Sequence, residues 1–160
     1  MSFFRFMRPG PRDSILFSFA VDWLPVILWM GVIFWMSTET FSAENTSSVL
    51  GKILFVLAPG IPPQAAEWVH LMIRKAAHVT EYFILGLLVF RAFRGGSALS
   101  WSYRWAFLAI IVVALFAVSD ELHQSFVRAR GASVVDVGID TAGGLLAQVV
   151  IVWRHCSRKN

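Results

Sequence analysis

Residues 74–94 read RKAAHVTEYFILGLLVFRAFR, and this run of ionisable side chains followed by a long apolar segment decides how the chain must fold. The apolar part covers residues 76–93, and its helix is expected to begin earlier, near Ala65. A helix needs about 20 mostly apolar residues to cross the hydrocarbon core of a bilayer. The run therefore predicts a membrane-spanning helix with charged residues at one end.

The composition excludes an ordinary soluble domain. Of the 160 residues, 57% are hydrophobic and only 15% are charged, and the mean hydropathy is +0.65. Soluble domains carry about 25% charged residues, and a core on a chain this short cannot bury so much apolar surface. The net charge of +4 does not indicate nucleic-acid binding, because the basic residues lie in short clusters between apolar runs. The expected partner is the lipid bilayer.

Three further apolar segments complete a prediction of about four transmembrane helices. They are residues 15–36, residues 103–118 with a helical continuation to Phe126, and residues 134–153. The first is interpreted as an uncleaved span, because no small-residue cleavage site follows it. The predicted fold class is an all-α polytopic membrane protein in which the transmembrane helices form a bundle.

The segment between the first two spans has a different character. Residues 37–64 contain Ser, Thr, Glu and Asn and include the turn-forming run Pro59-Gly60-Ile61-Pro62-Pro63. The apolar stretch 53–57 inside this segment is too short to span a bilayer. It predicts a short interfacial or re-entrant helix in the first outer loop.

The distribution of Lys and Arg predicts the orientation. With four spans, three basic groups fall on one side: Arg5, Arg8 and Arg12; Arg91, Arg94 and Arg104; and Arg154, Arg158 and Lys159. Because cytoplasmic loops carry an excess of Lys and Arg, both termini are expected in the cytoplasm. The expected division is a cytoplasmic segment 1–14, a transmembrane domain 15–153 and a cytoplasmic tail 154–160. The single cysteine, Cys156, excludes an intrachain disulfide.

Ionisable residues collect at the outward ends of three spans. The second span carries Arg74, His78 and Glu81 on one helical stripe, with Lys75 and Tyr82 beside it; the third ends in Asp120, Glu121, His123 and Gln124; the fourth begins with Asp136 and Asp140. These groups are expected at one depth, because the second and fourth spans enter from the outer side and the third leaves there. An ionisable group inside a membrane costs on the order of 3 kcal/mol unless it is paired. The convergence therefore predicts a binding or catalytic site.

Each of these residues also has a purely structural interpretation. A carboxylate–arginine pair near the interface can simply hold two helices together, and His123 can cap a helix end. Gly143 and Gly144 favour close helix packing rather than catalysis. Tyr82 is expected to anchor the chain at the membrane interface.

Metal binding is a separate question. The pairs His78 with Glu81 and Glu121 with His123 contain residue types that bind divalent ions. Their spacing is not a closed zinc set, and the chain has no clustered thiols. The cofactor and metal content therefore stay open, while the basic residues at the outward end favour an anionic ligand.

Two of the polar segments resemble the signature motifs of the VanZ-like family. They are RKAAHVTEY at 74–82, followed by Leu85-Gly86, and DELHQSFV at 120–127, followed by Arg130 and Asp136. In addition, DTAGG at 140–144 is similar to the start of the last helix of the family, and Ser37 with the run after it is similar to a weaker first-loop motif. The resemblance covers roughly residues 23–152.

This resemblance implies a multi-pass protein of the bacterial inner membrane with a role in the cell envelope. The family is named for a membrane protein that lowers sensitivity to the glycopeptide teicoplanin. The resemblance implies no particular reaction. Two departures concern the site: Arg128-Ala129-Arg130 stands where the family often has Pro-Gly-Arg, and Asp140 stands where it often has Asn.

The function predicted from these observations is binding of an anionic envelope component, such as a phospholipid headgroup or a lipid-linked intermediate, in an outward-facing polar pocket. The candidate ligand-binding residues are Arg74, Lys75, Gln124, Arg128, Arg130, Asp136 and Asp140, of which the four basic ones are expected to hold the anion. The candidates for acid–base chemistry are His78, Glu81, Asp120, Glu121 and His123.

Three other functions remain open at this point. The first is a membrane-embedded hydrolase or transferase in which a histidine beside a carboxylate acts as general base. The second is a proton-coupled carrier, since membrane carboxylates and histidines often relay protons. The third is a structural partner of another membrane protein, with the polar cluster acting as a clamp between helices. The oligomeric state is open in all of them.

Overall fold

The computed structural model describes residues 14–38, 43–95, 101–127 and 133–158, and these residues form five α-helices. The helices are α1 (Ser14–Met36), α2 (Ala43–Leu57), α3 (Pro63–Arg94), α4 (Tyr103–Ser125) and α5 (Val134–Ser157). All except α2 are long and apolar enough to cross a membrane. The prediction of an all-α protein with four spans and a short helix in the first loop is confirmed.

Helix α3 is much longer than a single crossing requires. It begins directly after Pro62, with Pro63 at its first position, where a missing N–H is harmless. Its 32 residues correspond to about 48 Å, against a hydrocarbon core of about 30 Å. Asp136, in the first turn of α5, contacts Lys75 near the middle of α3. The first part of α3 therefore extends beyond the start of α5.

Helix α2 packs against this extension of α3. Thr46 Oγ1 and His70 Nε2 are 3.1 Å apart and form a hydrogen bond between the two helices. The sequence predicted a short helix only from the apolar stretch 53–57, whereas α2 begins at Ala43 and includes ten residues before that stretch, eight of them polar or small. The two helices therefore form a hairpin that is closed by the turn at 58–62.

Helix α3 is the centre of the bundle, since it contacts all four other helices. Its partners in α5 lie 61 or 62 positions later in the chain, as in the pairs Lys75–Asp136 and Gly86–Gln148. A constant separation means that α3 and α5 run parallel, while α1 and α4 run in the opposite direction. The buried core includes Tyr82, Leu85 and Val113, and large apolar side chains cover the outer surface of the helices.

The parallel helices α3 and α5 approach each other closely at small residues. A Cβ atom added to Gly143 would lie 2.5 Å from the carbonyl oxygen of Val79, and one added to Gly86 would lie 3.0 Å from the Cβ of Ala147. Gly144 has no room for a Cβ either, because Val113 Cγ1 would be 2.7 Å away. The expectation that the glycines of the fourth span serve close packing is confirmed.

A proline inside α1 is compensated by an arginine of α3. Pro25 has no N–H, so the carbonyl of Val21 has no partner within its own helix. Arg91 Nη2 donates a hydrogen bond of 2.8 Å to that carbonyl and one of 3.2 Å to the carbonyl of Asp22. In a bilayer, where no water can replace a lost backbone hydrogen bond, this contact lets α1 continue through the proline.

Candidate functional site

Most of the predicted site residues lie at one end of the bundle, called the polar end here, where α1 and α4 finish and α5 begins. The structure describes ten of them there: Arg74, Lys75, His78, Glu81, Asp120, Glu121, His123, Gln124, Asp136 and Asp140. Arg128 and Arg130 lie outside the described residues. The other end of the bundle carries the arginines of the last turn of α3, the first turn of α4 and the last turn of α5.

Two acid–base contacts connect α3 and α5 at the polar end. Lys75 Nζ donates a hydrogen bond to Asp136 Oδ1. One turn further into the bundle, His78 Nδ1 lies 3.4 Å from Asp140 Oδ1. This second contact has ion-pair distance, although neither oxygen of Asp140 accepts a hydrogen bond. Both contacts follow from the parallel register of the two helices.

The start of α5 is fixed by a cap. Ser133 precedes the helix, and its hydroxyl accepts a hydrogen bond from the backbone N–H of Asp136. A carboxylate in the first turn is also favoured by the partial positive charge of the helix N-terminus. The cap therefore holds Asp136 where Lys75 can reach it.

A second cluster surrounds Asp120, which is fully buried where α1, α3 and α4 meet. Asp120 Oδ2 accepts hydrogen bonds from Ser37 Oγ at 2.9 Å, Gln124 Nε2 at 3.0 Å and the Tyr82 hydroxyl at 3.3 Å. Gln124 Nε2 also lies 3.4 Å from Ser37 Oγ. Asp120 Oδ1 accepts no hydrogen bond. The cluster therefore fixes one oxygen of the carboxylate and leaves the other without a donor.

The interpretation of Tyr82 as an interface anchor is wrong. Its side chain is completely buried, and its hydroxyl donates to Asp120 instead of reaching the headgroup region. The position explains the difference, because Tyr82 lies on the face of α3 that packs against both α4 and α5. A buried tyrosine keeps its hydroxyl hydrogen-bonded, and Asp120 is the acceptor within reach.

Glu121 connects the end of α4 to the start of α5. Its side chain is only 3% exposed, and Oε2 accepts a hydrogen bond of 2.7 Å from the backbone N–H of Ser133. Oε1 accepts none. Its charge is near enough to those of Asp136, Asp140 and Asp120 to be repelled by them. Glu121 therefore lies within electrostatic range of three other carboxylates of α4 and α5.

Three other predicted residues have different surroundings. The backbone carbonyl of Glu81, which is a buried residue, accepts a hydrogen bond of 2.9 Å from Trp29 Nε1. The His123 ring faces α1, with its centroid 5.0 Å from that of Phe34, and so it is turned away from α5. Arg74 is partly buried and makes no hydrogen bond or ion pair with another described residue.

In the part of the chain that the structure describes, no three His, Cys, Asp or Glu side chains form a group that could hold a metal ion. The pairs noted in the sequence, His78 with Glu81 and Glu121 with His123, are not joined there by a third ligand of these types. The carboxylates instead accept hydrogen bonds from hydroxyl, amide and ammonium groups.

The sequence did not reveal two members of these clusters. Ser37 was noted only within a weak first-loop motif, yet its hydroxyl donates the shortest hydrogen bond to Asp120. Ser133 has a recognisable signal, since a serine three residues before an aspartate at a helix start is typical of a cap. Its second contact, with Glu121, depends on how the loop returns and has no sequence signal.

The comparisons with known proteins give one result. A family model described as VanZ/LLP1 matches residues 22–155, which include all the candidate residues. No curated protein and no solved structure matches the chain.

Proposed function

The chain belongs to the VanZ/LLP1 family, and on this premise we propose that its polar end binds the anionic group of a cell-envelope lipid or lipid-linked intermediate. The polar end would face outward from the bacterial inner membrane, with both termini in the cytoplasm. The arginine and lysine side chains would hold the anion, and Asp136 would keep Lys75 in position.

The observation that carries this proposal is the environment of Arg74. Arg74 is partly buried at the polar end, and its guanidinium pairs with none of the described carboxylates. Lys75, the next residue, is engaged by Asp136. An unpaired cation near a membrane interior is unfavourable, and an arginine can bind a phosphate or carboxylate group with two parallel hydrogen bonds. Arg74 is therefore the expected first contact of the anion.

The surrounding network makes this end of the bundle rigid. The α3–α5 register, the Ser133 cap and the Asp120 cluster each fix side chains from different helices. Rigid surroundings lower the entropy lost when a ligand is bound. Arg128 and Arg130 follow α4 in the sequence and are proposed as further anion contacts.

A binding measurement with a matched control tests the proposal. The protein is purified in a neutral detergent and titrated with a polyprenyl phosphate, and the shift in its unfolding temperature is recorded. A ligand at 100 times its Kd stabilises a protein by about 2.7 kcal/mol. The wild-type chain should be stabilised by the polyprenyl phosphate and not by the free polyprenol.

The control is a second arginine at the other end of the bundle. Arg74→Gln should abolish the stabilisation, whereas Arg154→Gln, at an exposed position in the last turn of α5, should preserve it. Equal stabilisation by the phosphate and the alcohol, or equal loss in both variants, would contradict the proposal.

The orientation can be tested with the single cysteine of the chain. Cys156 is exposed and lies at the end of α5 opposite the polar end. A membrane-impermeant maleimide should label it only after the cells are permeabilised. A cysteine introduced by Glu67→Cys into a Cys156→Ser background should be labelled in intact cells, because Glu67 is exposed on the extension of α3. The reverse labelling pattern would place the termini outside.

An effect on glycopeptide sensitivity belongs to the same proposal. Expression of the wild-type chain should raise the concentration of teicoplanin needed to stop growth, and expression of the Arg74→Gln variant should not. No observation among the described residues favours the hydrolase or transferase alternative.

A further inference from the structure

Several buried carboxylate oxygens at the polar end accept no hydrogen bond. They are Asp120 Oδ1, Glu121 Oε1 and both oxygens of Asp140. The three side chains are at most 3% exposed, so water does not solvate them freely. A buried acceptor left without a donor costs about 1–3 kcal/mol, and more when it is charged. Helix packing alone does not require four buried carboxylate oxygens without hydrogen-bond donors.

The donors around Asp120 and Glu121 are already used elsewhere, and His78 Nδ1 approaches Asp140 Oδ1 only to 3.4 Å. Ser37, Tyr82 and Gln124 all donate to the other oxygen of Asp120, and the N–H of Ser133 donates to the other oxygen of Glu121. The carboxylates also repel one another, Asp140 being near both Asp120 and Asp136. A group that supplies hydrogen-bond donors and positive charge together would relieve both deficits.

We propose that these oxygens bind a primary ammonium group on the same ligand whose anionic group Arg74 holds, so that the ligand is an amine-bearing phospholipid headgroup. The inference rests on the proposed function and deepens it. A primary ammonium offers three N–H donors on one positive charge, which matches several acceptors from different side chains. Lys75 already places such a group on Asp136, another carboxylate of the polar end.

A divalent cation matches the described residues less well, because no three acidic or histidine side chains there are arranged around one point. An ammonium nitrogen tolerates acceptors that are further apart, because its N···O distances are about 2.7–3.2 Å, whereas a divalent cation requires shorter contacts. Arg74 precedes Lys75 in α3, so the anionic group would be held at the same end of the bundle as the carboxylates. The phosphate and the amine of one headgroup would bind side by side.

A series of phospholipids that differ only in the headgroup tests this inference. Native mass spectrometry of the full chain would give the affinity for phosphatidylethanolamine, its N-methyl and N,N-dimethyl forms, phosphatidylcholine and phosphatidylglycerol with identical acyl chains. Each methyl group removes one N–H donor while the charge stays. A site that hydrogen-bonds an N–H discriminates strongly against analogues that lack it. Phosphatidylethanolamine should bind at least about tenfold more tightly than phosphatidylcholine and phosphatidylglycerol.

Variants then assign the preference to particular oxygens. Glu121→Gln and Asp140→Asn should reduce the affinity for phosphatidylethanolamine to that for phosphatidylcholine. Asp22→Asn, near the other end of the bundle, should leave the preference intact. Arg74→Gln should weaken binding of every phospholipid. The comparison of lipids with the wild-type chain tests the inference even if a variant fails to fold.

The outcomes separate the two proposals. If phosphatidylglycerol binds as tightly as phosphatidylethanolamine, or if methylation has no effect, the amine is not recognised and this inference fails while the anion site stands. If no phospholipid binds more tightly than diacylglycerol with the same chains, and polyprenyl phosphate does not stabilise the chain either, the proposed function fails as well.

Discussion

Replacing Gly143 with alanine should push α3 and α5 apart, whereas the same change at Gly138 should not. A Cβ at position 143 would lie 2.5 Å from the carbonyl oxygen of Val79 and 3.2 Å from the backbone nitrogen of Phe83. A Cβ at position 138 would meet nothing within 4 Å. Both glycines lie in α5, so each is a matched control for the other.

The size of the effect follows from the geometry. Favourable contacts between heavy atoms begin near 3.5 Å, so the helices must separate by about 1 Å at position 143. The atom in the way belongs to the backbone of α3 and cannot turn aside as a side chain can. Extra groups in a packed interior typically cost about 1–3 kcal/mol. Alanine also favours the helix over glycine by about 1 kcal/mol, and this gain applies to both variants.

The expected result is that Gly143→Ala is less stable than Gly138→Ala by about 2 kcal/mol. Gly138→Ala should be as stable as the wild-type chain or slightly more stable. The assay is reversible unfolding in mixed micelles with increasing SDS, followed by far-ultraviolet circular dichroism. If the two variants unfold at the same SDS fraction, the close approach of α3 and α5 at Gly143 is refuted.

Three further predictions use other contacts of the same bundle. Arg91→Leu should destabilise the chain by about 1 kcal/mol, because the carbonyl of Val21 loses its donor. Pro25→Ala should remove most of that cost, because an N–H at position 25 restores the missing backbone hydrogen bond. A double-mutant cycle of unfolding free energies that shows no coupling between the two positions would contradict this. Tyr82→Phe should cost about 1 kcal/mol in the same assay, because a buried carboxylate loses one of its donors. Thr46→Val should speed hydrogen exchange in α2 and leave exchange in the four spans unchanged; equal protection of α2 in both proteins would show that the bond does not hold the hairpin.

The spans were predictable because the signal for a membrane helix is long and continuous. The described helices α1, α4 and α5 begin or end close to the apolar segments 15–36, 103–118 and 134–153. The start of α3 was expected near Ala65 and lies at Pro63, although residues 63–75 mix polar and apolar side chains and hydropathy alone does not separate a helix from a loop there. The pair Pro62-Pro63 was taken as a turn signal, whereas Pro63 is also the first residue of the helix.

The grouping of polar residues at one end was predictable, but the partner of each one was not. Helical periodicity places Tyr82 beside the stripe of Arg74, His78 and Glu81, and it does not tell whether the ring points to lipid or to a neighbouring helix. That choice depends on the position of Asp120, which belongs to a different span. The partner of Ser37 was unpredictable for the same reason, because Ser37 reaches Asp120 only through the contact between the end of α1 and α4.

The register of α3 against α5 determines which polar residues of the two helices form pairs. Gly143 sits against the backbone of α3 between Val79 and Phe83, and this close contact fixes the sliding position of the parallel helices. Shifting α5 by one turn along α3 would bring Ile139 or Ala147, each of which has a Cβ atom, to that point and would separate Lys75 from Asp136. The small residues therefore do not contribute polar groups themselves, yet they determine which carboxylates of α5 lie beside the basic residues of α3. Any test of the polar end accordingly needs the α5 glycines intact.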